Sequence, residues 1–161
     1  MAIRLLLFLA LLTPIFEPAP DAEINAIGAV LDDFHDAAAF GDKERFLGQM
    51  TDDAVFLGTD EWERWPKHPD LSDYVSGRFQ NGSGWSYRSV ERHVKMAESG
   101  ETAWFDEIVF SETNGRFRGT GVLTRQDEQW KIAHYAMSFL ILNENWTEVI
   151  ELTKRTREQQ R

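Results

Sequence analysis

The chain has 161 residues, no cysteine and a formal charge of −10. It is long enough for one domain with its own core, and it has no disulfide, zinc–thiolate site or cysteine nucleophile. The acidic balance argues against nucleic acid phosphates and anionic membrane surfaces as partners.

Arg4 precedes an unbroken apolar run from Leu5 to Leu12, and Pro18-Ala19-Pro20-Asp21-Ala22 follows. A charged start, a short apolar stretch and small residues form the pattern of a secretory signal. The run falls short of the ~20 apolar residues a spanning helix needs. Residues 1–22 are read as the signal and 23–161 as the mature domain, periplasmic or secreted, with no membrane association once the signal is removed. From Glu23 to Phe40 the residues Ile24, Ile27, Val30, Leu31, Phe34 and Ala38 recur at helical spacing. Gly41 is a left-handed cap, and Asp42 starts a second short helix through Met50. Thr51-Asp52-Asp53 reads as a turn, Ala54 to Leu57 as a short strand, and Gly58 to Asp70, with Pro66 and Pro69, as loop.

Leu71 to Phe79 reads as a third helix. Four strands follow: Trp85 to Ala97, Thr102 to Ser111, Arg116 to Arg125 and Gln129 to Leu142. In the first, apolar parity switches from odd (Trp85, Tyr87) to even (Val90, Val94), which a β-bulge near Ser89 to Arg92 produces. A last helix starts near Thr147. Helices followed by a long antiparallel meander define an α+β fold.

Several stretches carry a family resemblance. Phe56-Leu57-Gly58-Thr59-Asp60 with Glu63-Arg64-Trp65, Ala103-Trp104-Phe105-Asp106-Glu107, Gly119-Thr120-Gly121-Val122-Leu123 and Trp130-Lys131-Ile132-Ala133 resemble the SnoaL-like branch of the nuclear transport factor 2-like superfamily. The resemblance spans Ile24 to Leu152. It implies a cone: N-terminal helices packed on a strongly curved antiparallel sheet. That superfamily includes isomerases, dehydratases, cyclases, ligand carriers and assembly domains, so the resemblance leaves activity open. His134 and Ala136 stand where the family often has glutamine and histidine.

Register sharpens the expected site. Asn114-Gly115 signals a two-residue type I′ turn, which sets Asp106 opposite Leu123 and Ile108 opposite Gly121. A two-residue loop at Asp127-Glu128 sets Leu123 opposite Ile132 and Gly121 opposite His134; a three-residue turn at 126–128 swaps the parity of the last strand. Paired residues share a face. One face then carries Trp104, Asp106, Gly119, Gly121, Leu123, Trp130, Ile132 and His134, and it is expected to be concave and helix-covered. Gly119 and Gly121 leave space beside His134 for a ligand.

On that basis Asp106 and His134 are the candidate proton-transfer pair, flanking a ligand from about 12 Å apart on a flat sheet. Trp62, Trp104, Gly121 and Trp130 are the candidate ligand contacts. The structural alternatives are an Asp106–Arg125 ion pair and a backbone-bonded core His134. Glu107, with Thr120 and Thr124 as diagonal neighbours, reads as a structural carboxylate. The loop from Asp60 to Trp65 is placed at the pocket mouth. His35 with Asp32 and Asp36 lacks a third ligand at metal spacing. No Gly-rich phosphate loop, GxSxG or zinc-protease motif occurs, so no metal or cofactor is expected. Three functions follow: an exported binder of a small apolar or amphipathic molecule, an acid–base enzyme, and a dimerisation domain. Homodimerisation is expected through a convex face of Phe105, Val109, Val122, Tyr135, Met137 and Phe139.

Overall fold

The computed structural model describes residues 20–82 and 84–160. Most of the expected signal segment lies outside them. Helix α1 (Pro20–Ala39) buries Ile27, Leu31, Phe34 and Ala38 completely or nearly so. Their spacing of four, three and four residues makes one stripe of a 3.6-residue helix. Gly41 follows with φ +64, and Asp42 caps α2 (Lys43–Gly48), its side chain accepting from the Arg45 N–H at 3.1 Å.

Strand β1 (Met50–Leu57) takes in Thr51-Asp52-Asp53, which had read as a turn. Met50 pairs with Ile132, and Met50 and Thr51 are buried, so tertiary pairing overrides the local turn signal. The expected loop contains β2 (Arg64–Pro66), antiparallel to β1, and a helical turn Lys67–Leu71 leading into α3 (Ser72–Arg78). Then come β3 (Arg88–Met96), β4 (Thr102–Ser111), β5 (Gly115–Gln126) and β6 (Gln129–Phe139). The order across the sheet is β2-β1-β6-β5-β4-β3, with β1 parallel to β6 and the other neighbours antiparallel. The bulge expected in β3 falls between Ser89 and Glu91. Helix α4 (Trp146–Gln159) ends the described chain and buries none of its side chains.

Two local details correct the expected faces. Ser111 pairs with Gly115, so Glu112-Thr113-Asn114 is a three-residue turn and Gly115, φ +80, takes the left-handed position that closes such loops. Asp106 therefore faces Thr120, not Leu123, and β4 presents its other side to the helices. That choice buries Ala103, Phe105 and Val109 and leaves Asp106 in water. Asp127 and Glu128, at φ 48 and 66, form the expected two-residue turn, and Leu123 does pair with Ile132. One step later a bulge at Ala133 sets Val122 opposite His134 and Gly121 opposite Tyr135.

The core therefore keeps Leu123, Trp130 and Ile132 from the face expected inside and adds residues of β4 and β6 expected outside. Phe105, Val109, Tyr135 and Met137 are buried with Phe34, Phe46 and Phe56, each worth about 1.5–3 kcal/mol against exposure. The expected convex apolar face thus does not exist as drawn. Of its six members, Phe139 is exposed and Val122 half-buried.

Candidate functional site

None of the expected site side chains converges on a common cavity. Asp106 and His134 both belong to the outer face of the sheet, Asp106 exposed beside His93 and His134 half-buried between Val55 and Val122. Trp104, on the same face, is 47% exposed, and Trp62, on its loop, 67%. Arg125 bonds Glu23 and Glu128, each at 3.2 Å, not Asp106. Trp130 is buried, but its indole N–H donates to Glu23 at 2.6 Å, so it anchors the start of α1 to the sheet. The space expected over the glycines is filled. A Cβ on Gly121 would lie 2.2 Å from the His134 carbonyl oxygen, and one on Gly119 2.3 Å from the Tyr135 hydroxyl.

What fills that space is a polar cluster around Glu107. Arg92 and Glu107 face each other across β3 and β4, Tyr135 reaches over side-chain-free Gly119 from β6, and His35 descends from α1. Glu107 Oε1 accepts from His35 Nε2 at 2.8 Å and from Tyr135 Oη at 2.9 Å; Oε2 accepts from Arg92 Nε at 2.9 Å. Arg92 Nη2, 2.8 Å from Oε2, is off the line of a good bond and contributes mainly charge. Arg92 Nη1 donates to Gly28 O at 3.0 Å and lies 2.9 Å from Asp32.

Glu107, Tyr135 and His35 are 1%, 0% and 4% exposed. Burial by itself would raise the Glu107 pKa; the His35 and Arg92 interactions outweigh it and hold it at about 2. Burial, with the adjacent Glu107 charge, lifts Tyr135 well above its ordinary value, so it remains a phenol and donates. Against an ionised Glu107, His35 Nε2 must be the donor, and Nδ1 has no partner among the described residues. Asp36, once grouped with His35, is bound 2.6 Å from Arg45 instead. Among the described residues no three potential ligands converge on a metal position.

The open site lies elsewhere on the same inner face. A cleft of about 110 Å³ is bounded by Phe56 of β1, Met137 of β6, Trp65 of β2, Tyr74 of α3, Trp85 and Tyr87 before β3, and Gly58, Thr59 and Glu63 of the β1–β2 loop. Its rings support one another. Trp65 stacks on Tyr74 at 4.3 Å, and Phe56 on Trp65 at 6.0 Å, both pairs with 19° between planes. Phe56 stacks in turn on Tyr135 at 5.5 Å, tying the cleft to the polar cluster. Burial, then Tyr74 and Glu63, raises the Tyr87 pKa, while Arg78 opposes. Of the Asp60 to Trp65 stretch expected at the mouth of a pocket over the glycines, Glu63 and Trp65 line this different cleft instead. Trp85 and Tyr87 were legible only as strand residues; the bulge after Ser89 puts them on the same inner face as Val94 and Met96, against the core.

A curved, unclosed six-stranded sheet carrying helices on its inner face, with an aromatic cleft beside a filled centre, defines a cystatin-like α+β cone. Residues 27–142 match the SnoaL-like domain, and the chain belongs to that family. Among solved structures it is similar to a nuclear transport factor 2-like protein of unknown function from Pseudomonas putida, at 17% identity and TM-score 0.64 over 79% of this chain and 92% of that one. It is also similar to a cystatin-like domain of unknown function from Nostoc punctiforme, at 16% identity and TM-score 0.68 over 88% and 93%. A third similar structure, from Novosphingobium aromaticivorans and provisionally described as an aromatic ring hydroxylase, has 23% identity and TM-score 0.65 over 78% and 94%. At these identities the likeness is one of fold. No curated protein matches the sequence.

Proposed function

We propose that this is an exported small-molecule-binding protein of the SnoaL-like family whose site is the aromatic cleft at the Phe56–Met137 end of the concave face. The observation that carries this reading is the contrast in access. The cleft is the open part of the inner face and is lined by five aromatic rings, a surface that gains most from covering by an apolar or amphipathic molecule. The groups best suited to proton transfer, Glu107, His35 and Tyr135, are sealed by mutual hydrogen bonds, and a substrate would have to break that cluster to reach them. Asp106 and His134 stand on the opposite face. Export rests on the Arg4 and Leu5 to Leu12 pattern.

The test is a fragment screen read by indole N–H resonances. Binding in the cleft moves the signals of Trp65 and Trp85 and leaves that of Trp130, which is buried on Glu23, in place. Hits that perturb only other tryptophans, or no hits from a library of small aromatic and amphipathic compounds, would sink the proposal.

A second reading, self-association, is favoured by one observation. Phe139, Ile141, Leu142, Trp146, Ile150 and Leu152 are all exposed along the end of β6 and α4. An apolar surface of that extent is commonly covered in symmetric pairs. Light scattering distinguishes it: Trp146→Ser with Leu142→Ser converts a dimer to a monomer if this strip is the contact.

A further inference from the structure

Resting on the cleft as the binding site, we infer that its ligand is a small organic cation, with a tertiary or quaternary ammonium group seated among the rings. Two features of the lining point the same way. Phe56, Trp65, Tyr74, Trp85 and Tyr87 supply aromatic rings, whose faces carry the negative side of the ring quadrupole. Glu63 is the charged side chain among the lining residues, and it is acidic.

Its placement is fixed rather than incidental. Glu63 Oε2 accepts the backbone N–H groups of Thr59 at 2.7 Å and Asp60 at 3.0 Å, which holds the carboxylate at the lip instead of letting it swing into water. Asp60 adds a further acidic side chain to the same loop, while Glu61 is paired with Arg157. No lysine or arginine lines the cleft. The nearby Arg78 donates to the Gly84 carbonyl at 3.0 Å, and Arg64 is exposed on the neighbouring strand.

Anions fit this site poorly: Glu63 repels them and the ring faces do not solvate them. A neutral apolar ligand gains burial alone. An alkylated ammonium buries methyl groups, interacts with ring faces, and answers the Glu63 charge. The formal charge of −10 raises the local concentration of cations as well.

The probes are choline and its uncharged carbon isostere 3,3-dimethylbutan-1-ol, with indole as a neutral aromatic, titrated into the purified protein and read by the Trp65 and Trp85 indole signals. Choline should bind saturably and roughly tenfold more tightly than the isostere. Glu63→Gln keeps an acceptor for the two loop N–H groups while removing the charge, and should weaken choline roughly threefold or more without changing the isostere. Sedimentation with phosphatidylcholine vesicles separates the two sources of such a group: cosedimentation identifies a lipid head group, and none identifies a free cation. Equal binding of choline and isostere, or binding of indole without choline, overturns the charge assignment and leaves the cleft as a binding site. If none of the three moves the Trp65 and Trp85 signals, both the cation and the site are wrong.

Discussion

The Glu107 cluster and the aromatic cleft lie on the inner face of one sheet and share the Phe56–Tyr135 stack, yet they are opposites in chemistry and access. The cluster gathers a carboxylate, a guanidinium, an imidazole and a phenol, the groups one would choose for acid–base work, and closes them off. The cleft gathers rings and a single carboxylate and stays open. A concentration of titratable side chains therefore does not coincide with the accessible part of this structure. The Glu107 oxygens are satisfied by their neighbours, while His35 Nδ1 and Arg92 Nη2 have no hydrogen-bond partner among the described residues. Around Glu107 three donors meet two oxygens, and the result is a cross-brace between α1, β3, β4 and β6.

Breaking that brace should produce the largest effect available in this protein. Glu107→Ala leaves Arg92 with only exposed Asp32 and the Gly28 carbonyl as partners and leaves His35 and Tyr135 buried without their acceptor, and breaking a buried pair of this kind costs about 3 kcal/mol. Urea unfolding measures it, and a loss under about 1 kcal/mol would show the cluster to be solvated in solution. Acid acts through the same carboxylate. Its folded pKa, about 2, lies below the ordinary value of about 4.3, so its contribution is complete above that value. It is lost as pH falls from about 4.3 through 2, and amounts to about 3 kcal/mol. Glu107→Gln should flatten that part of the stability profile.

A smaller effect is expected at Gly119, which admits the Tyr135 hydroxyl to Glu107. The Cβ of Gly119→Ala would fall 2.3 Å from that oxygen, and overpacking of this kind costs about 1–3 kcal/mol. Tyr135→Phe removes the nearest clashing atom together with its hydrogen bond, leaving the ring carbon Cζ at 2.9 Å. The double variant Gly119→Ala/Tyr135→Phe should therefore be more stable than the sum of the single changes predicts, by about 1 kcal/mol. Strict additivity would mean that Gly119 serves some other purpose.

Much of this fold can be read from the sequence by mechanisms that act locally. The α1 stripe, the Asp42 cap, the β3 bulge, the Asp127-Glu128 turn and the four-strand meander each follow from a few adjacent residues. The site does not, because its location depends on parity, and parity depends on two single-residue events. One extra residue in the Glu112-Thr113-Asn114 turn reverses the faces of β4 relative to β5, and the bulge at Ala133 reverses β6 beyond Ile132. Asn114-Gly115 offered two positive-φ residues for the shorter turn, and the burial of Phe105 and Val109 in the core goes with the longer one. Glu107 reads as a structural carboxylate beside Thr120 and Thr124; it pairs instead with Gly119, and its partners His35, Arg92 and Tyr135 come from three other elements and leave no local trace.

The smallest expected effect sharpens the comparison from the outside of the sheet. Asp106 lies exposed between His93 and Thr120 on the outer face. His93 is raised first by its hydrogen bond to Glu91 and then by the Asp106 charge, an interaction that solvent screens. His134 is half-buried between two valines, with no side-chain hydrogen bond among the described residues. Neither group touches the cleft or the Glu107 cluster. Asp106→Asn and His134→Ala should each change stability by no more than about 0.5 kcal/mol and leave the response of the Trp65 and Trp85 signals to choline unaltered. A drop in choline affinity in either variant, at unchanged stability, would mean that the outer face takes part in binding and that access alone does not define the site.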